Sequence, residues 1–468
     1  MNHSNNINST FESQRKAIGP IPIKVRLQQL VKLEEWIQSH HQEIVDSHFQ
    51  DLGKPKPEVD LAEVWYVMSE IKLARKKLHQ WMSPKRKGVS TITLMTAQSW
   101  VHLEPKGVVL IISPWNFPFN LTVGPLVSAL AAGNRVIIKP SEMTPNVSAL
   151  IEQMISDLFE PDFVSVFIGN SEVAQSLLEL PFNHIFFTGS PAVGKIVMRA
   201  AANYLSSITL ELGGKSPTII DETAHLDMTV KKLTWGKCLN AGQSCIAPDY
   251  ILIHHSVKDA FIEKMSHRLN EVFGSTMEKK ISSPDFGRIV NSHHWNRINS
   301  LLEDAIDEGA TLAHGGGKNE ENKFFEPSLL DNVTSDMKIM NEEIFGPLLP
   351  IISFESIEDC LAIINTRPKP LALYMFSNSK KNIENVIQHT SSGGMVINEV
   401  NSHFSNLELP FGGVNTSGFG KTHGYEGFLS FSNERAMLKN GRLSMISLVF
   451  PPYTNWTKKI IRFITRYL

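Results

Sequence analysis

From Gly107 onward short apolar runs alternate with helical stretches, and this alternation narrows the choice of folds more than any other feature of the chain. The runs are Val108 to Ile112, Val136 to Ile138, Phe163 to Ile168 and His184 to Phe187. Between the second and third, Val147, Leu150, Ile151, Met154, Ile155 and Leu158 fall on one helical face. Strand, helix, strand repetition calls for a parallel sheet covered by helices and joined by right-handed crossovers. A second series follows, with Thr218 to Ile220, Tyr250 to Ile253, Leu348 to Ile352 and Leu371 to Phe376. The expected fold class is α/β, with two doubly wound parallel-sheet domains.

At about 150 residues per domain, a chain of 468 residues is long enough for two or three domains. Residues from about 22 to 80 carry helical periodicity (Leu27, Leu30, Val31, Trp36, Ile37) interrupted at Gly53, Pro55 and Pro57, which reads as surface helices on a larger body. The Thr- and Val-rich stretch from Val89 to Leu103 reads as an extended arm or hairpin. The amino terminus (Asn2, Ser4, Asn5, Asn6, Asn8, Ser9) reads as a frayed polar lead-in without the apolar core of a signal peptide. Three cysteines in so long a chain exclude a disulfide framework and point to a reducing, cytosolic setting. A net charge of −2 gives no whole-chain field for nucleic acid, and no such partner is expected.

One of those cysteines, Cys245, ends the run Leu239, Asn240, Ala241, Gly242, Gln243, Ser244 with no cysteine two or three positions away. It is not half of a metal clip, and its small-residue loop leaves the sulfur approachable, so a nucleophile competes with an inert packing cysteine. Glu211, in Glu211, Leu212, Gly213, Gly214, Lys215, is a candidate base. Cys238 and Cys360 read as packing. The paired histidines (His40 and His41, His254 and His255, His293 and His294) lack ligand spacing, so no metal is expected and solvated positions are assigned to them. In the segment Phe187 to Lys195, Ser190 can cap a helix whose first position is Pro191, leaving backbone donors between Gly189 and Gly194 for an anion. Lys139 and Glu142 project from the end of an earlier strand, where open α/β sheets bind ligands.

Taken together, PWNFP at 114–118, KPSE at 139–142, FTGSPAVG at 187–194, ELGGKSP at 211–217, NAGQSC at 240–245, EEIFGP at 342–347 and PFGGVNTSGFG at 410–420 resemble the aldehyde dehydrogenase superfamily, in the family's order. KLTWGK at 232–237 and CIAPDYIL at 245–252 look most like its class 3 branch, which holds fatty and aromatic aldehyde dehydrogenases. The resemblance implies NAD(P)-dependent oxidation of an apolar aldehyde, with NAD favoured because Glu142 would repel a 2′-phosphate. Cys245 would be the nucleophile, Glu211 the base, and Asn116 with the Cys245 backbone N–H the oxyanion donors. Trp115, Lys139, Glu142, Gly189, Ser190, Gly194, Leu212, Glu343 and Phe345 would form the cofactor site. It also implies a homodimer and a division into a cofactor domain (1–85 and 107–209), a catalytic domain (210–396), an oligomerisation arm (86–106 and 397–441) and a tail (442–468). The alternatives are acyl transfer to coenzyme A and a catalytically silent homologue of the same fold.

In the tail, Lys458, Lys459, Arg462 and Arg466 lie on one helical arc and Ile460, Ile461, Phe463, Ile464, Tyr467 and Leu468 on the other. Such a basic amphipathic helix is too short to span a bilayer. Docking against the partner subunit or over the substrate entrance is favoured, with a membrane surface as the alternative.

Overall fold

The computed structural model describes residues 3–88, 94, 96–441 and 444–467. A six-stranded sheet is built on the strand Val108–Ile112, whose five side chains are all buried, as expected where helices cover both faces. From there the chain moves outward through Arg135–Lys139 to Val164–Val166. It then returns to the other side of Val108–Ile112 with His184–Gly189 and Ser207–Leu212. The strand order therefore reverses between Val108–Ile112 and His184–Gly189, and a crevice opens beyond their carboxyl ends, where ligands bind in such sheets. A two-residue strand, Gly418–Phe419, closes the edge antiparallel to Glu211 and Leu210.

The second sheet has seven strands in the order Thr311–His314, Ser328–Asp331, Leu348–Phe354, Tyr250–His254, Pro217–Ile220, Ala372–Phe376 and Gly394–Ile397, antiparallel only at its first edge. A third, exposed sheet pairs Ala97–Pro105 with Lys85–Lys87 and, across nine residues, with Ser432–Asn440. The expected extended arm is thus seen from Ala97; its residues 89–93 and 95 lie outside those described.

One expectation is corrected. The amino terminus is not a frayed lead-in but a helix, His3–Lys16. Ile7 and Phe11, four residues apart, are buried on one face, Phe11 meets Phe182 edge to face at 5.0 Å, and the Gln14 amide donates to the Val136 and Pro161 carbonyls. The helices between 22 and 80 pack one face on the body as expected, with Leu30, Leu33, Ile44, Val59, Ile71 and Leu78 fully buried. The last of these helices, Trp65–Trp81, is entered through a π-turn, Asp60–Val64, a wider turn often found where a side chain must be re-aimed. Here it turns Glu63 and Tyr66 inward.

Candidate active site

Cys245 follows a backbone held in an uncommon shape. Asn240, Ala241 and Gly242 have φ of 49°, 53° and 77°, a left-handed run that costs energy for residues with a Cβ and must be fixed by its surroundings. The fixing groups are visible. The Asn240 N–H donates to Glu58 at 2.9 Å, and the Asn240 side-chain amide donates to the Asn116 carbonyl at 2.8 Å. The buried Gln243 amide donates to the Asn240 and Arg288 carbonyls and accepts from the Val290 N–H. A Cβ on Gly242 would stand 2.3 Å from the Gly346 carbonyl oxygen, so only glycine lets the loop approach there.

The Asn116 amide donates to the Gln243 carbonyl at 3.1 Å, which uses one of its two N–H groups and sets the plane in which the other points. The Asn116 backbone carbonyl accepts from Lys54 Nζ at 2.9 Å. Lys54 is fully buried beside an equally buried Glu63, with Nζ 2.6 Å from Oε1. The second Glu63 oxygen accepts from the Asn120 N–H at 2.8 Å, and His48 Nε2 lies 3.3 Å from the first. Burial alone would raise the Glu63 carboxyl, but Lys54 and His48 outweigh it and hold it down at about 2. Lys54→Met is expected to cost about 3–5 kcal/mol, because it strands a buried carboxylate. Lys54→Met with Glu63→Gln should recover most of that loss in a denaturant titration.

Three cavities meet at Cys245. A cleft of about 290 Å³ is lined by Trp115, Asn116, Gly189, Ser190, Glu211, Leu212, Glu343 and Phe345. An apolar tunnel of about 100 Å³ is lined by Leu61, Trp65, Phe117, Leu121, Trp235 and Phe404 among others. The third, about 30 Å³, holds Glu211, Tyr66, Thr422 and His423. Glu211 is buried and neither carboxylate oxygen has a hydrogen-bond partner; burial raises it to about 8, against a lowering by Lys421. Burial, with Glu343 and Glu211 nearby, also pushes the Cys245 thiol up. Sulfur, unsatisfied carboxylate and aimed amide thus share one space, an arrangement fit for covalent attack followed by proton transfer.

The cleft fits a nucleotide. The helix Pro191–Tyr204 points its amino terminus there, with Ser190 capping the Val193 N–H and Pro191 at the first position, as read from the sequence. A Cβ on Gly189 would strike the Phe187 ring, and one on Gly194 would meet Leu212 at 2.8 Å. Glu343 keeps Oε1 unsatisfied, and burial raises it to about 8. Trp115 stands 5.2 Å from Phe345 and 5.0 Å from His294. Lys139 and Glu142 pair with each other at 2.6 Å on the neighbouring strand end, outside the residues lining the cleft. His294 is not simply solvated: it lines the cleft, and burial with Arg297 nearby lowers it to about 4. Cys238 and Cys360 are buried in the second sheet's core. Among the described residues no group of three or more His, Cys, Asp or Glu could hold a metal.

Sequence reading missed the residues that hold the loop bearing Glu343 and Phe345. Lys215 Nζ donates to Asp249 and to the Ile339 and Glu342 carbonyls, and Asp249 accepts from the Ile344 N–H at 2.9 Å. Both lie within quoted motifs, which was the signal available.

The model of the aldehyde dehydrogenase family matches residues 4–437. The chain is 45% identical over 443 residues to the 4,4'-diaponeurosporen-aldehyde dehydrogenase of Staphylococcus aureus, covering 94% of this chain and 95% of that protein. It is 41% identical over 458 residues to aldehyde dehydrogenase family 3 member A2 of Rattus norvegicus, covering 97% and 92%. A solved substrate-bound state of Staphylococcus aureus AldH matches with TM-score 0.93 at 43% identity, over 98% of this chain and 99% of that one.

Proposed function

The chain belongs to the aldehyde dehydrogenase family, alongside family 3 relatives, and on that premise we propose that Cys245, Glu211 and Asn116 oxidise apolar aldehydes to carboxylic acids. It is an NAD(P)-dependent oxidoreductase that acts on aldehydes. The observation that carries the finer reading is the meeting of an apolar tunnel and a carboxylate without partners at one partly exposed cysteine.

Cys245 gives up its proton to water, against the upward push of burial on the thiol, and attacks the aldehyde carbon as thiolate. The second N–H of the Asn116 amide and the Cys245 backbone N–H receive the developing oxyanion, with the Gln243 carbonyl holding the amide and Lys54 holding the Asn116 backbone. The cofactor, when bound, supplies the hydride acceptor. Trp115, Gly189, Ser190, Gly194, Leu212 and Phe345 would shape its cleft, Glu343 would offer an unsatisfied oxygen to a hydroxyl, and Lys139 with Glu142, on the adjoining strand end, would take the ribose if the nucleotide extends beyond the cleft. Glu211 then takes the proton of the water that hydrolyses the thioester on Cys245. The base must be ionised for that step and burial raises it to about 8, so steady-state turnover should climb as pH rises through about 8. A flat profile between pH 7 and 9 would remove Glu211 from this role.

Initial rates of reduced-nicotinamide formation across an aldehyde series, with and without coenzyme A, test the reading. kcat/KM should increase with apolar chain length, as each added methylene leaves water, and coenzyme A should make no difference. Equal rates for polar and apolar aldehydes would refute the tunnel's role. NAD is the expected preference because an acid such as Glu142 beside the ribose would oppose a 2′-phosphate. Glu142→Gln should shift the ratio of the two cofactors' specificity constants toward NADP about tenfold; an unchanged ratio assigns the preference elsewhere.

The two parallel sheets support the division into a cofactor domain with 107–209 and a catalytic domain at 210–396, although the strand Ser207–Leu212 of the first sheet runs across that boundary. The segment 411–423 departs from the arm to pair with Glu211 and line its cavity. The exposed edge of Ser432–Asn440 supports a homodimer joined through the third sheet, and three free cysteines support a reducing, cytoplasmic setting.

A further inference from the structure

We infer that the carboxyl-terminal helix Asn455–Tyr467 docks the enzyme on an anionic lipid surface. The inference does not rest on the catalytic roles above. After Glu434 the sequence contains no aspartate or glutamate, while Arg435, Lys439, Arg442, Lys458, Lys459, Arg462 and Arg466 follow. The whole-chain charge of −2 thus divides into +7 for residues 435–468 and −9 for the remainder. So uneven a distribution gives one end of the molecule a field that the total conceals.

The helix presents that charge together with apolar bulk. Its inner stripe is Thr457, buried, with Ile461 and Ile464 half-buried. Trp456 and Phe463 are 60% and 59% exposed, two turns apart, with the exposed Lys459 between them at the i+3 position. Just before the helix Phe450 and Tyr453 are 56% and 58% exposed. An aromatic ridge flanked by cations suits the bilayer interface, where rings sit at headgroup level and lysine or arginine meets anionic phosphates. An apolar protein groove would have to bury Lys459 beside Trp456 without an acid from this segment. Two tails meeting each other would oppose like charges. The substrate entrance is also disfavoured, since no residue of the helix lines the cavities at Cys245. No helix among the described residues is long and apolar enough to cross a membrane, so the contact is with the surface.

The test is co-sedimentation of the full chain with phosphatidylcholine vesicles with and without phosphatidylglycerol. Binding should require the anionic lipid and weaken in raised salt. It should fall at least about tenfold in Lys458→Glu/Lys459→Glu/Arg462→Glu and also weaken in Trp456→Ser, while oxidation of a short soluble aldehyde stays unchanged in both. Equal binding to both vesicles, no binding, or binding that survives the triple reversal would overturn the proposal. If the triple reversal instead dissociates subunits in sedimentation velocity and leaves vesicle binding as it was, the helix is a subunit contact and the proposal is wrong.

Discussion

Replacing Cys245 with serine is expected to lower aldehyde oxidation by at least about a thousandfold, since a neutral hydroxyl is a far weaker nucleophile than a thiolate. Oxygen is smaller than sulfur and stays in the cavity shared with Asn116 and Glu211, so the fold and the cleft should be unaffected. Cofactor binding followed by fluorescence should match that of the unaltered enzyme while turnover disappears. Turnover within tenfold of wild type would mean that another group attacks the aldehyde.

Glu211→Gln should separate the two halves of the reaction. Hydride transfer precedes hydrolysis, so one equivalent of reduced cofactor should form in a burst. Steady-state turnover should then fall by about a hundredfold to ten-thousandfold, the usual loss with a general base. Mass spectrometry should find the acyl group on Cys245. The same substitution carries a stability signature. Burial raises the Glu211 carboxyl from 4.5 to about 8, so its folded form holds its proton more tightly. The resulting stabilisation is complete below 4.5 and fades as pH rises through about 8. Glutamine has no proton to lose there, so its variant should gain stability relative to wild type between pH 5 and 9. An unmodified Cys245 with unchanged steady-state rate would contradict the assignment.

What could be read from sequence follows from which forces are local. The strand Val108–Ile112 is buried on both faces and shows as an unbroken apolar run, and its observed limits match those read from the pattern. Ser207–Leu212, which carries Glu211, escaped because Thr209 and Glu211 interrupt the apolar residues, although both are buried. Ser190 and Pro191 announce their helix because capping is chemistry within four residues. Lys54 and Glu63 announce nothing: one is a lysine in a Gly-Pro break and the other a carboxylate in a charged stretch, and only the π-turn and the arrival of Asn116, 62 positions after Lys54, bury them as a pair. The helix His3–Lys16 was hidden for a related reason. Two apolar residues among asparagines and serines suffice to dock it once Phe182 is in place.

The cleft and the tunnel reach the same sulfur and share Leu121, but beyond it one is walled by Trp115 and Phe345 and the other by Trp65 and Phe404. Two openings onto one atom mean that traffic need not queue. On the proposed roles, a spent nucleotide would be free to depart while an acyl chain still filled the tunnel, and a fresh one to enter before hydrolysis was complete. Each product then obstructs only the doorway it leaves by, so an added fatty acid should compete with aldehyde but not with nucleotide.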